Sequence, residues 1–232
     1  MSSITLFSTL AVRKALETTV LPAFTDATGI EVRTVFDPTT QLFRRIRSQE
    51  RFDVIVAITE SLHELDGGTL DRRTVTPIAS TQVGIAVGPH ARIPDISDEA
   101  HLIETLLAAR SVAYSRTGAS GIYFAQLIKD LGIARQLNSR ATVLEKGFTA
   151  TALLDDRADL AVQQMSELLF VPEAKIVGPL PRSVRHVTQF SAGVSPLATH
   201  DVNATALLRH LTSPAAHEAY EAAHLEPAGS SI

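Results

Sequence analysis

Ser111-Val112-Ala113-Tyr114-Ser115-Arg116-Thr117-Gly118-Ala119-Ser120-Gly121-Ile122-Tyr123 leads from an apolar stretch into a Ser/Thr/Gly cluster, then into the amphipathic Phe124-Ala125-Gln126-Leu127-Ile128-Lys129-Asp130-Leu131. The apolar stretch reads as a buried strand and the last segment as a helix. A strand that stops at such a cluster and restarts as a helix leaves several backbone N–H groups without helical partners. With the helix dipole, those groups form an anion site. Ser115, Thr117 and Ser120 add hydroxyl donors, and Arg116 adds a planar cationic fork. The competing reading is a capped turn without a ligand, because Ser and Thr cap helices widely.

The strand–loop–helix unit recurs on both sides of this stretch. Residues 4–7 read as a strand, 10–27 as a helix stopped by Gly29, 31–36 as a strand and 39–49 as a helix. Asp53-Val54-Ile55-Val56-Ala57 reads as a buried strand, with helical pattern at 60–66. A second series begins at residue 82, with strands at 82–88, 111–115, 141–145 and 159–163 and helices at 98–109, 119–131, 148–156 and 165–169. The pattern resumes at 175–178, and 185–195 is a long β-prone segment. Closing helices at 201–212 and 214–223 are signalled by Asp201 and Ser213-Pro214. This alternation predicts an α/β fold of two Rossmann-like lobes built on parallel strands. The segments near 81–88 and 185–195 are the predicted crossover strands. Lobe one is then 1–80 plus 196–232 and lobe two is 81–195, with a ligand cleft between them.

The composition limits the function classes. The 232 residues are 45% hydrophobic and 20% charged, with 21 basic and 25 acidic residues, a net charge of −4. There is no basic tract, and Arg44-Arg45-Ile46-Arg47 reads as the solvated face of a helix, so nucleic acid is not an expected partner. No cysteine is present, which removes disulfides and thiolate metal sites. No apolar run approaches the roughly 18 residues of a membrane span, so membrane insertion is not expected. Met1-Ser2-Ser3 leads straight into the first strand without an export signal. As written the chain reads as cytoplasmic, and as periplasmic if its start has been trimmed.

Four loops follow predicted strands: Ser8-Thr9, Pro38-Thr39-Thr40, the opening segment, and Val162-Gln163-Gln164-Met165-Ser166-Glu167. Each alone suits helix capping, but four at equivalent positions converge on one region of such a fold. No phosphate-loop, dinucleotide or nucleophile-elbow motif is present, and no histidine pair has zinc-protease spacing. No metal or cofactor is therefore expected. His186 is singled out by its place at the predicted crossover.

These residues resemble the periplasmic molybdate-binding protein family of type II solute-binding proteins. The likeness lies in Leu6-Phe7-Ser8-Thr9-Leu10-Ala11, Phe24-Thr25-Asp26-Ala27-Thr28-Gly29-Ile30-Glu31-Val32, Asp53-Val54-Ile55-Val56-Ala57, Ser120-Gly121-Ile122-Tyr123 and Leu211-Thr212-Ser213-Pro214-Ala215-Ala216. It implies the type II periplasmic-binding-protein architecture and hinge closure on a small anion. It carries ligand contacts onto Ser8 or Thr9, Thr39 or Thr40, Ser120 and Gln164, with Gln163 and Tyr123 beside them. If the protein is exported, an ABC permease is the implied partner. The chain departs from the family in lacking an export signal, in having Gln164 where an aromatic hydroxyl is usual, and in having Arg116 among neutral donors. A guanidinium matches a carboxylate in a bidentate way, so Arg116 points toward an organic carboxylate.

The wider group that the chain resembles includes isomerases of small unsaturated tricarboxylates such as aconitate. On that alternative, Arg116, Ser115, Thr39 and Thr40 clamp carboxylates, and Glu167 or His186 is the base. Against the base role, a lone Glu in a first helical turn reads as an exposed residue favoured by the dipole.

Overall fold

The computed structural model describes residues 3–145, 147–198 and 201–229. Among the described residues, ten strands follow in chain order: β1 (Ser3–Ser8), β2 (Glu31–Phe36), β3 (Val54–Ile58), β4 (Asp71–Val87), β5 (Val112–Ser115), β6 (Thr142–Leu144), β7 (Leu160–Gln164), β8 (Lys175–Pro179), β9 (Val187–Val194) and β10 (Glu226–Pro227). The chain divides into two compact units, Met1–Thr81 with Thr188–Ile232, and Gln82–Val187. Among the described residues, no helix is long and apolar enough to cross a membrane.

In the first unit the strand order is β2-β1-β3-β9-β4, with β10 also on β4. β1 is parallel to both β2 and β3, and β9 runs antiparallel to β3. Period-two alternation distributes the side chains of this sheet. Ile4 and Leu6 of β1 and Val54 and Val56 of β3 pack with the helical segment 10–28 and the closing helices. Phe7, Ile55 and Ala57, on the opposite face, pack with Leu42 and Phe43 of the helix Thr39–Arg47. Helices therefore cover both faces, as the all-apolar β3 requires. Gly29 ends the first helix in the left-handed conformation (φ 69°), which has no steric cost for glycine. Asp201 and Ser213 cap the closing helices through Asn203 N–H and Ala216 N–H, where the sequence signals them.

The second unit repeats the plan. β5 is parallel to both β6 and β7, and β4 runs antiparallel to β7 and β8. Val112 and Tyr114 face one core with Leu160 and Val162, while Ala113 and Ala161 face the other. Two glycines set the approach of helices to this sheet. A Cβ on Gly121 would lie 1.7 Å from the Ser115 carbonyl oxygen, so only glycine lets the helix Ala119–Asp130 start so close to β5. A Cβ on Gly84 of β4 would lie 2.2 Å from Met165 Sδ, which seats the turn Met165–Leu168 against the sheet.

Several elements differ from expectation. β4 begins at Asp71 rather than at 82. Its first half opens with the polar run Asp71-Arg72-Arg73-Thr74 and contains Pro77, so it lacks the apolar run that marks a buried strand. The helix expected at 148–156 is the single turn Thr151–Leu154, and a short helix at Ala134–Asn138 was not anticipated.

Candidate functional site

In the first unit, the carboxyl ends of β1, β2 and β3 lie together because these strands are parallel neighbours. Their loops are tied to one another. Thr9 N–H donates to Val56 O at 2.9 Å, Asp37 N–H to Ser8 O at 3.2 Å, and Ile58 N–H to Thr39 Oγ1 at 3.4 Å. Ser8, Thr9 and Thr39 are buried, and Thr40 is exposed one residue further along. Thr59, after β3, shares a hydrogen bond of 2.8 Å with Ser191 of β9. Sequence reading missed this pair, although Thr59 follows β3 as Ser8-Thr9 follow β1. Ser8, Thr9, Thr39, Thr40 and Thr59 thus bring five hydroxyls to the ends of the three strands, with that of Ser191 beside them. The nearby Arg45 is held by Asp37 at 2.8 Å and by Glu50 at 3.0 Å.

In the second unit, the corresponding ends are those of β5, β6 and β7. Ser115 is buried, and its Oγ accepts the Gly118 N–H at 3.0 Å, which shapes the loop into the helix Ala119–Asp130. No side chain caps that helix at Gly118, and Ser120 is buried in its first turn. Tyr123, one turn on, donates its hydroxyl to Val184 O at 2.7 Å, and its ring stacks on His186 at 4.2 Å. His186 is therefore a packed neighbour of Tyr123. Arg116 lies on the surface, paired with Glu145 at 2.6 Å, and Thr117 donates to Glu145 O at 2.6 Å. The guanidinium is thus engaged by a carboxylate of the protein itself.

The third loop of this unit holds the largest difference from the sequence reading. Gln163 is 2% exposed and its amide is used inward. Its Oε1 accepts Thr149 N–H at 2.7 Å and Thr149 Oγ1 at 3.0 Å, and its Nε2 donates to Gly147 O at 3.0 Å. Gln163 thus fastens the loop after β6 to the end of β7. Gln164 is also buried and begins the turn Met165–Leu168. Glu167 is 8% exposed, not solvated as a first-turn Glu was expected to be. Loss of hydration pushes its carboxyl up to about 7, against opposing hydrogen bonds from the Gln163 side chain and the Gln164 N–H. The second of these bonds is the reach-back of a capping box, in which the N3 carboxylate accepts the N-cap N–H. Ser166 is fully buried beside it, and its Oγ has no hydrogen-bond partner among the described residues. Local signals favoured an exposed Glu167, and tertiary packing overrode them.

No three His, Asp or Glu side chains among the described residues are grouped to hold a metal. What the geometry offers is neutral donors, with one buried carboxyl in the second unit.

Two α/β units, each with hydroxyl and amide donors at the carboxyl ends of its parallel strands, define the architecture of a solute-binding protein. The family described as bacterial extracellular solute-binding protein matches residues 4–226, and the chain belongs to it. A curated relative, aconitate isomerase from Pseudomonas sp, is 29% identical over 215 residues, covering 90% of this chain and 82% of the relative. Among solved structures, the Azotobacter vinelandii periplasmic molybdate-binding protein superposes with a TM-score of 0.77 at 17% identity, covering 96% of this chain and 98% of its own. The tungstate-binding protein of Desulfovibrio alaskensis G20 gives 0.67 at 16% identity, with 98% and 99% covered. The fold is that of the type II periplasmic binding proteins.

Proposed function

We propose that the chain binds a small polyanion, an inorganic oxyanion or a short organic polycarboxylate, through neutral donors at the carboxyl ends of its parallel strands. The observation that carries this reading is the pair of donor sets at strand ends: Ser8, Thr9 and Thr39 in one unit, Ser115 and Ser120 in the other, all buried. Buried hydroxyls and helix-terminal N–H groups are costly to leave dry and are matched by anionic oxygens. The guanidiniums of Arg45 and Arg116 are already neutralised by carboxylates, so neutral donors bear the recognition. If the protein is exported, it delivers this ligand to an ABC permease.

A thermal-shift screen against molybdate, tungstate, sulfate, phosphate, and di- and tricarboxylates tests the reading. A ligand that binds only the folded state raises the melting temperature with occupancy. A shift by any of these anions at micromolar concentration supports it, and no shift by any anion at millimolar concentration contradicts it.

A second reading is that the same site isomerises a small unsaturated polycarboxylate. It is favoured by the buried carboxyl of Glu167, which a passive anion receptor does not need, and by the 29% identity to an aconitate isomerase. Turnover of cis-aconitate followed by proton NMR tests it directly.

A further inference from the structure

We propose that Glu167 alone shuttles the proton of this isomerisation, taking it from the methylene carbon beside one carboxylate and returning it to the far carbon of the same allylic system. The inference rests on the isomerase reading of the site. Among the described residues Glu167 is the one buried carboxyl, and it stands at the carboxyl end of β7. This is the side of the sheet on which the parallel strands β5 and β6 also end, with Ser115 and Ser120 as anion donors. The alternative base, His186, is stacked face to face on Tyr123, and that ring is anchored to Val184. Glu145 is paired with Arg116 at the surface.

The surroundings suit a group that both accepts and gives a proton. Of the strands packed on its turn, β7 carries no charged residue, β4 carries none between Gln82 and Val87, where it meets the turn, and β8 carries only Lys175, whose ammonium donates to Ala91 O at 3.3 Å. Desolvation brings the carboxyl near neutrality, where proton acceptance and donation are best balanced. The Gln163 side chain and the Gln164 N–H both donate to the carboxyl, so Gln163 is a positioning residue.

The step conserves atoms and electrons. The methylene C–H bond breaks and its proton passes to the Glu167 carboxylate. The freed pair forms the new C=C bond, and the old C=C pair is pushed toward the conjugated carboxylate as a dienolate. Glu167 then returns the proton to the former vinylic carbon, and no oxidant, reductant or water is consumed. One carboxyl serving both carbons requires transfer across one face of the substrate. It also requires that the abstracted hydrogen return, in some turnovers, before exchange with water.

The test uses the full chain with methylene-deuterated cis-aconitate in ordinary water, with binding followed in parallel by calorimetry. Wild type is expected to bind and isomerise the compound, with part of the deuterium moved to the former vinylic carbon. Glu167→Gln preserves shape and the capping contact, and is expected to bind as wild type while turnover falls about 10²–10⁴-fold. Glu167→Asp is expected to retain measurable turnover. Wild-type turnover in Glu167→Gln, or complete loss of deuterium in every product molecule, overturns the proposal but leaves the isomerase reading standing. Tight binding by wild type without turnover overturns both and leaves the anion-binding reading intact.

Discussion

Replacing Glu167 by Gln tests the burial of this carboxyl apart from any ligand. In the folded chain its pKa is about 7 against an ordinary 4.5, a shift caused first by desolvation. A folded pKa above the unfolded one means that the native state binds more protons between these values. Stability therefore falls as pH rises through that window, and the loss is complete above pH 7. At 1.36 kcal/mol per unit, the ionisation of Glu167 costs the folded state about 2–3 kcal/mol more at pH 8 than at pH 5. The isosteric amide does not ionise and keeps the capping contact. The melting temperature of Glu167→Gln relative to wild type should accordingly rise by roughly 5–10 °C between pH 5 and pH 8, for a chain of this size. Thermal denaturation followed by circular dichroism at the two pH values measures it. A difference between the proteins that is the same at both pH values would refute the claim that Glu167 is buried and desolvated.

Four further outcomes are expected. Gly121→Ala should lower stability by about 3 kcal/mol or abolish folding, because its methyl overlaps the Ser115 carbonyl; expression and melting temperature report it. Gln163→Leu should release the loop around Thr149 by removing three hydrogen bonds, with hydrogen exchange at Thr149 N–H faster by at least about tenfold. Thr39→Val should weaken anion binding by about 1–3 kcal/mol in calorimetry, through loss of a buried donor without loss of volume. Arg116→Ala should change stability by less than about 1 kcal/mol, since its pair with Glu145 is exposed, and should leave anion affinity within a few-fold of wild type.

Much of the fold is legible in the chain because its central strands β3, β5 and β7 are buried on both faces. Val54-Ile55-Val56-Ala57 is apolar throughout, and its alternation across two helical layers follows directly. Caps such as Asp201, Ser213 and Gly29 sit where local chemistry demands them. The first half of β4 was not legible, because its polar residues are stabilised by pairing rather than by burial. The hydroxyl loops after β1, β2 and β5 could be found from their position alone. Glu167, Ser166 and the Thr59–Ser191 pair could not be placed in this way. Their environment depends on contacts such as that of Met165 with Gly84, which no local pattern encodes. Arg116 shows the converse: its type suggested a carboxylate clamp, but Glu145, 29 residues away, takes the guanidinium.

Isothermal titration of the wild type and of Ser120→Ala with each anion that shifts its melting temperature tests the central claim most directly. The account predicts one-to-one binding of a small polyanion with a dissociation constant in the micromolar range or below, weakened about tenfold or more by loss of the Ser120 hydroxyl. Absence of binding to every oxyanion and polycarboxylate tried, or an affinity indifferent to Ser120, would contradict it.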